Sequence, residues 1–310
     1  MNIRNSIANM DLIDYLPMVP DEYVDEIILD PPYFKVVNEK WDNEWSSLED
    51  YLAWFNTVIE QVYRVSKYSC SVWIFGFPYQ LSYIIPIMEK NGFRYKQTIT
   101  LDKGLRSVAG RTSSKLKMFP TATEQILYFY KDAHDEIRNF LIGKKKASQL
   151  KSVDINRHLG KAINGGGTWS CIAGPKKKDI QYPTRADWDK LQEILGTFEI
   201  DYDDYIYKFN QEQGITDVWR DINFYDRQFG PRIHPTQKPY DLIQRLVKCS
   251  TDKGDVVMDL FMGSGMTAKV CMDLERVFIG CEKDKVYHSK SLDFLNLTQP
   301  NDLFFDTSKK

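Results

Sequence analysis

The chain reads Asp30-Pro31-Pro32-Tyr33 directly after the apolar run Val24-Asp25-Glu26-Ile27-Ile28-Leu29. Two prolines can neither continue a sheet ladder nor enter a helix interior, so the predicted strand stops at Asp30 and the following loop is pre-set. In an open α/β sheet the carboxyl end of a strand is where ligands bind. A carboxylate and a backbone carbonyl side by side there make a two-acceptor site for an NH2 group. The exocyclic amine of a nucleobase is a poor nucleophile, because its lone pair is delocalised into the ring. With one N–H held by Asp30 and the other by the Pro31 carbonyl, a pyramidal nitrogen is favoured and its lone pair is free for an electrophile. Tyr33 then offers an aromatic face on which an extruded base stacks. Alone, the segment also reads as an ordinary proline-rich turn, so the rest of the chain must decide.

The second chemistry-bearing stretch is Asp259-Leu260-Phe261-Met262-Gly263-Ser264-Gly265-Met266-Thr267-Ala268. Gly263 and Gly265 let the backbone pass close to a ligand, and the helix predicted from Met266 presents unpaired N–H groups. Gly263-x-Gly265-x-x-Ala268 fits the relaxed dinucleotide fingerprint. Glu282 ends the next predicted strand, where a ribose-binding acid belongs. No Gly-Lys-Ser/Thr follows, which excludes a Walker loop. The pattern points to an adenosine-containing ligand. A nicotinamide- or flavin-dependent oxidoreductase is one alternative, although little chain follows the turn for a dinucleotide half-fold.

Stepping outward from these loops, strands and amphipathic helices alternate. The spacing predicts helices over 46–66 (after a Ser-x-x-Glu capping box), 79–90 and 186–196, and further helices from Tyr240 and Met266. Strands are predicted at 24–29, 71–76, 94–101, 125–130, 256–260 and 277–282. The alternation implies an α/β fold with a largely parallel sheet. Between about 131 and 230 the periodicity weakens amid lysine and glycine clusters. The chain is therefore divided into 1–130, an insertion over 131–230, and 231–310.

At 310 residues and 43% hydrophobic, the chain can bury a large core. No apolar run of signal-peptide or membrane-spanning length occurs, so a cytoplasmic protein with no membrane partner is expected. Five cysteines without a C-x-x-C pair and four scattered histidines give no zinc pattern, and no metal is expected. The net charge of −2 hides an asymmetry: residues 94–190 carry 20 Lys+Arg against 9 Asp+Glu. A basic central third on an acidic chassis suits a protein that grips a polyanion with one face. Arg106, Arg111, Lys115 and Lys117 flank a Ser/Thr-rich loop suited to tracking phosphates, and Lys144, Lys145, Lys176 and Lys177 are further candidates for double-stranded DNA. Any one of these lysines is also compatible with plain solvated surface.

Together, Asp30-Pro31-Pro32-Tyr33, His234-Pro235-Thr236-Gln237-Lys238-Pro239 and Phe261-Met262-Gly263-Ser264-Gly265 resemble the amino-methyltransferases of DNA in their β-class order. In that order the catalytic loop comes first, then the target-recognition region, then the cofactor loop. The resemblance covers roughly 7–130 and 232–293. It implies a Rossmann-like, S-adenosylmethionine-dependent methyltransferase fold with an inserted target-recognition region. Asp30, Pro31, Pro32 and Tyr33 are then the catalytic loop, with Asp30 also beside the cofactor. Asp259, Phe261, Gly263, Gly265 and Thr267 line the cofactor, Glu282 binds its ribose, and Asp11 lies near its adenine. Thr236 and Lys238 flank its methionine end. Met10 precedes Asp11 where the family usually has Gly, and Leu101-Asp102-Lys103 lacks the family's frequent Trp. Asp rather than Ser at position 30 points to N6 of adenine, with N4 of cytosine as the alternative. C5-cytosine chemistry requires a Pro-Cys nucleophile, and no cysteine here follows proline. A homodimer and a cognate restriction endonuclease are admitted as partners, and a non-catalytic DNA-binding descendant is a third reading.

Overall fold

The computed structural model describes residues 3–34, 42–109, 117–161, 167–174, 181–210, 212–226, 228–229 and 232–297. Eight strands form one sheet: β1 (Ser6–Ala8), β2 (Val24–Leu29), β3 (Ser66–Gly76), β4 (Phe93–Asp102), β5 (Thr123–Lys131), β6 (Val218–Trp219), β7 (Val256–Asp259) and β8 (Val277–Cys281). Their spatial order is β1-β8-β7-β2-β3-β5-β4-β6, and only β5 runs against its neighbours. The carboxyl ends of β1, β2, β3, β4, β7 and β8 therefore share one edge, where β5 begins. After β2 the chain moves outward through β3, and after β7 it moves the other way to β8. The switch point thus lies between the paired strands β2 and β7, with Ile28 opposite Asp259.

Helices cover both faces. After β1 comes the short α1 (Leu12–Tyr15), followed by α2 (Leu48–Val65) and α3 (Pro78–Lys90). Phe55, Val58, Ile59 and Val62 of α2 and Leu81, Ile84 and Met88 of α3 pack on Ile27, Leu29, Val72 and Ile74. The opposite face presents Ile28, Trp73, Phe75 and Val257, as the two-residue strand period requires. A second body of helices follows β5: α4 (His134–Ser148), α5 (Ser152–His158), α6 (Gly167–Ala173), α7 (Arg185–Leu195) and α8 (Tyr202–Tyr205). The sheet's second face is closed by α9 (Tyr240–Ser250), α10 (Met266–Asp273) and α11 (Lys285–Leu295).

One local expectation is corrected and one refined. The capping box of α2 is one residue later than the Ser46–Glu49 pattern: Ser47 accepts from the Asp50 amide, and Asp50 accepts from the Ser47 amide. The segment 131–230, expected as an insertion, packs in two parts. Helices α4–α8 enclose their own core of Ile137, Leu141, Ile155, Trp169, Trp188 and Leu191. Beyond Ile206 the chain returns to the sheet. Tyr207 stacks on Tyr130, Phe209 stacks on Tyr128, β6 adds an edge strand to β4, and Ile222 and Phe224 join the second-face core. A two-residue strand has no alternation to read; the exposed edge of β4 specifies it instead.

Candidate active site

The shared strand edge opens into a cavity of about 410 Å³ at the β2/β7 switch point. Its lining carries six carboxylates (Asp11, Asp30, Glu44, Asp259, Glu282, Asp284) against three lysines (Lys238, Lys283, Lys285), so its charge suits a cation. Of the residues expected to hold a cofactor, Asp11, Asp30, Thr236, Lys238, Asp259, Phe261, Gly263, Thr267 and Glu282 all line it. Gly265 does not. It is the left-handed N-cap of α10 at φ 80°, and a side chain there would run into Ser291 and Leu295.

The turn after β7 is braced by its own acids. Asp259 accepts from the Phe261 amide at 2.9 Å and from the Thr267 hydroxyl at 2.6 Å. Burial pushes its carboxyl up to about 7, against those two hydrogen bonds, with Asp30 and Glu282 adding like charge. Gly263 takes φ 52°, and its amide donates to Glu282 Oε2 at 2.7 Å, while Oε1 accepts from the Asp284 amide. Glu282 is thus fixed by backbone donors at the end of β8, its carboxyl raised by burial. Asp11 caps α1 through the Ile13 amide and pairs with Lys283 at 3.1 Å.

Two walls of the cavity escaped the sequence reading. Trp45 and Trp54 pack with ring centroids 4.6 Å apart, and Trp54 meets Phe261 edge-on at 6.4 Å. The nine-residue spacing of the tryptophans, across a helix start, gives no local signal. His234 packs 4.3 Å from Tyr287, and its Nδ1 accepts from the Thr236 amide and hydroxyl. Burial, with the Lys238 charge nearby, holds the imidazole down at about 4, so it is neutral at physiological pH.

Asp30 leads into the cavity from the end of β2. Its Oδ1 accepts from the Tyr33 hydroxyl at 2.5 Å, and Lys238 Nζ lies 2.9 Å from Oδ1 and 2.8 Å from Oδ2. The same ammonium sits 2.9 Å from Glu124 Oε1 and 2.9 Å from the Tyr33 hydroxyl, over the Phe75 ring. Glu124, at the start of β5, is held at its other oxygen by Lys103 at 3.1 Å. Burial raises the Asp30 carboxyl, and Lys238 opposes it. Burial also acts on Glu124, but Lys238 and Lys103 outweigh it and hold that carboxyl down at about 2. The Tyr33 ring is 7% exposed and meets Phe77 edge-on at 5.2 Å. Pro31 and Pro32 are buried, and Gln80 Nε2 donates to the Pro32 carbonyl at 2.8 Å and to the Tyr51 hydroxyl at 2.6 Å.

The basic candidates separate. Arg106 is exposed in a short turn after β4, its guanidinium 4.4 Å from the Tyr225 ring, and Lys117 is exposed on the same β4–β5 connection. Lys144 instead bonds Glu199 and the Thr197 carbonyl, and Lys145 bonds the Ser152 hydroxyl, both within the helical body. Arg111, Lys115, Lys176 and Lys177 lie outside the described residues.

A three-layer α/β sheet with an acidic, aromatic-walled cavity at its switch point is the architecture of Rossmann-like methyltransferases, and comparison with known proteins agrees. The DNA methylase family of N6/N4 type matches residues 24–293, and the chain belongs to that family. It is 26% identical over 304 residues to the Type II methyltransferase M1.MboII of Moraxella bovis, covering 96% of this chain and 98% of that one. Over 297 residues it is 29% identical to the Type II methyltransferase M.BglII of Bacillus subtilis, covering 91% of this chain and 66% of the relative. Among solved structures, the M1.HpyAVI–SAM complex superposes with a TM-score of 0.53 at 20% identity, covering 93% of this chain and 98% of that one. The PvuII DNA methyltransferase, cytosine-N4-specific, gives a TM-score of 0.58 at 16% identity, covering 95% and 87%.

Proposed function

We propose that this DNA methylase transfers the methyl group of S-adenosylmethionine to N6 of an adenine flipped out of duplex DNA. The observation that carries the reading is the position of Asp30. A half-buried carboxylate at the end of β2 opens into the same cavity as the Phe261–Gly263 turn and Glu282 at the ends of β7 and β8. The cavity fits the cofactor's chemistry: carboxylates for ribose hydroxyls and positive charge, and indole and phenyl rings for an adenine and a sulfonium. When bound, S-adenosylmethionine supplies the electrophilic methyl that the held amine takes.

The chain's own groups do the rest. Asp30 accepts one amine N–H and the Pro31 carbonyl the other; the Pro32 carbonyl is already taken by Gln80. Tyr33, fixed by its hydroxyl and packed edge-on against Phe77, is assigned the stacking face for the base. The rate gain comes from orienting the amine in a water-poor cavity. Asp at position 30 favours adenine over cytosine as the target.

Arg106 and Lys117, on the β4–β5 connection at the same edge of the sheet as the cavity, are assigned to DNA phosphates. The same connection exposes Leu105 (85%), Met118 (69%) and Phe119 (94%), apolar side chains suited to filling the gap left by a flipped base. Incubation of the purified protein with methyl-labelled S-adenosylmethionine and unmethylated phage DNA tests the proposal. The label is expected in N6-methyladenine; label in N4-methylcytosine makes it the cytosine enzyme of the same family.

A further inference from the structure

Among the described residues, the two donors on the Asp30 carboxylate, Tyr33 and Lys238, also touch Glu124. The Tyr33 hydroxyl lies 2.5 Å from Asp30 Oδ1 and 3.2 Å from Glu124 Oε1. Lys238 Nζ lies 2.9 and 2.8 Å from the two Asp30 oxygens and 2.9 Å from Glu124 Oε1. An ammonium has three N–H donors, yet Nζ has four acceptors within 2.9 Å, so these acceptors compete; with Asp30 released, Glu124 and Tyr33 still engage two of the donors and Glu124 keeps the ammonium ion-paired. The carboxylate must accept an amine N–H during the reaction, and its lone pairs are largely occupied by these two donors. An incoming sulfonium also sets a second cation beside Asp30, which favours release of the first.

We propose that Glu124 is a positioning residue for methyl transfer: it receives the Lys238 ammonium and the Tyr33 hydroxyl when Asp30 takes up the target amine. Three features favour Glu124 as the receiving anion. It is 4% exposed, it starts the strand that runs antiparallel to β3 directly beside the catalytic loop, and Lys103 anchors its far oxygen. It therefore stays ionised and in place while Asp30 changes partners. Among the described residues, the carboxylate of the cofactor turn is not free for this, because Asp259 is already committed to the Phe261 amide and the Thr267 hydroxyl. The inference rests on Asp30 being the amine acceptor.

The test is single-turnover transfer of labelled methyl to unmethylated phage DNA across pH. Glu124→Gln keeps the shape but removes the charge, so Lys238 stays on Asp30. The rate is expected to fall about 10- to 100-fold, the scale of a buried charge-assisted hydrogen bond, with cofactor affinity within about threefold of wild type. The groups facing Asp30 are Lys238 and Tyr33, which lower its carboxyl, and Glu124 and Asp259, whose like charges raise it. Removing the Glu124 charge therefore moves the acid limb of the rate profile to lower pH, which a merely structural role does not do. Glu124→Asp, which keeps the charge, is expected to recover most of the rate. A Glu124→Gln rate within about threefold of wild type, or a slow variant with an unmoved acid limb, overturns the proposal. If Glu124→Gln does not fold, Glu124→Asp carries the test: setting the same charge back by one methylene weakens its repulsion of Asp30, so the acid limb shifts the same way by less, and an unmoved limb overturns the proposal. An active Asp30→Ala protein brings down the parent reading too; an inactive one with an unmoved Glu124→Gln limb brings down this inference alone.

Discussion

Three acids meet at the switch point with different tasks, and their surroundings separate them. Glu282 is tied down by two backbone amides, Asp30 shares its oxygens with Tyr33 and Lys238, and Asp259 is buried beneath both at about 7. A cation placed in the cavity favours the ionised form of Asp259, so binding releases a proton. Affinity for S-adenosylmethionine is expected to rise as pH goes from about 6 to about 8, by up to about tenfold per unit below the midpoint, and then to level off. Its uncharged thioether product is expected to show a much weaker trend, and Asp259→Asn to flatten the curve. Calorimetric titration of both ligands across that range checks it; a slope shared equally by the thioether contradicts it. At this scale the sequence was legible where chemistry and local spacing coincide. Asp30 beside two prolines, and Glu282 one strand beyond a Gly-x-Gly turn, announce themselves. Glu124 and Trp45 do not, because their roles come from contacts to residues distant in the chain.

Among the elements, β2 carries a liability at its centre. Glu26 is fully buried between β3 and β7, and neither of its oxygens meets a hydrogen-bond donor among the described residues. The nearby Ser250 hydroxyl donates instead to the Leu246 carbonyl. Burial pushes the Glu26 carboxyl up to about 8, well above its ordinary value of 4.5. The sign follows from linkage. A group whose folded-state pKa is raised contributes stability that is fully present below 4.5 and is lost as pH rises through about 8. Glu26→Gln is therefore expected to match wild type near pH 4.5 and to melt several degrees higher at about pH 8.5. Thermal melts at the two pH values decide; an equal difference at both excludes a buried neutral acid. The strands and helices around β2 were readable because their periods are strong: β2 itself, α2, α3 and α9 lie within about two residues of expectation. In the helical body after β5 the helix expected at 186–196 is found as α7, but its neighbours were not readable, since these short helices are stabilised mainly by one another's apolar faces. The edge strand β6 was also hidden, because its pairing is dictated by β4.

At the scale of the whole molecule, the described residues of the basic central third divide into an exposed part, proposed to meet DNA, and an internal part. Lys144 neutralises Glu199 and covers Phe140 and Phe198, so its charge belongs to the helical body. Arg106 and Lys117 stand exposed on the connection between β4 and β5. Each of Arg106→Gln and Lys117→Gln is expected to reduce the slope of log affinity for duplex DNA against log salt by about one. Lys144→Gln is expected to leave that slope unchanged and to lower the melting temperature. Equal slopes for all three variants contradict the division. The central claim is that Asp30 delivers an adenine amine to the methyl donor, and it is tested most directly by nucleoside analysis of phage DNA methylated by wild type and by Asp30→Ala. The account predicts N6-methyladenine from wild type, and from Asp30→Ala no methylated nucleoside despite near-normal cofactor binding. Undiminished methylation by Asp30→Ala, or label found in a cytosine, would contradict it.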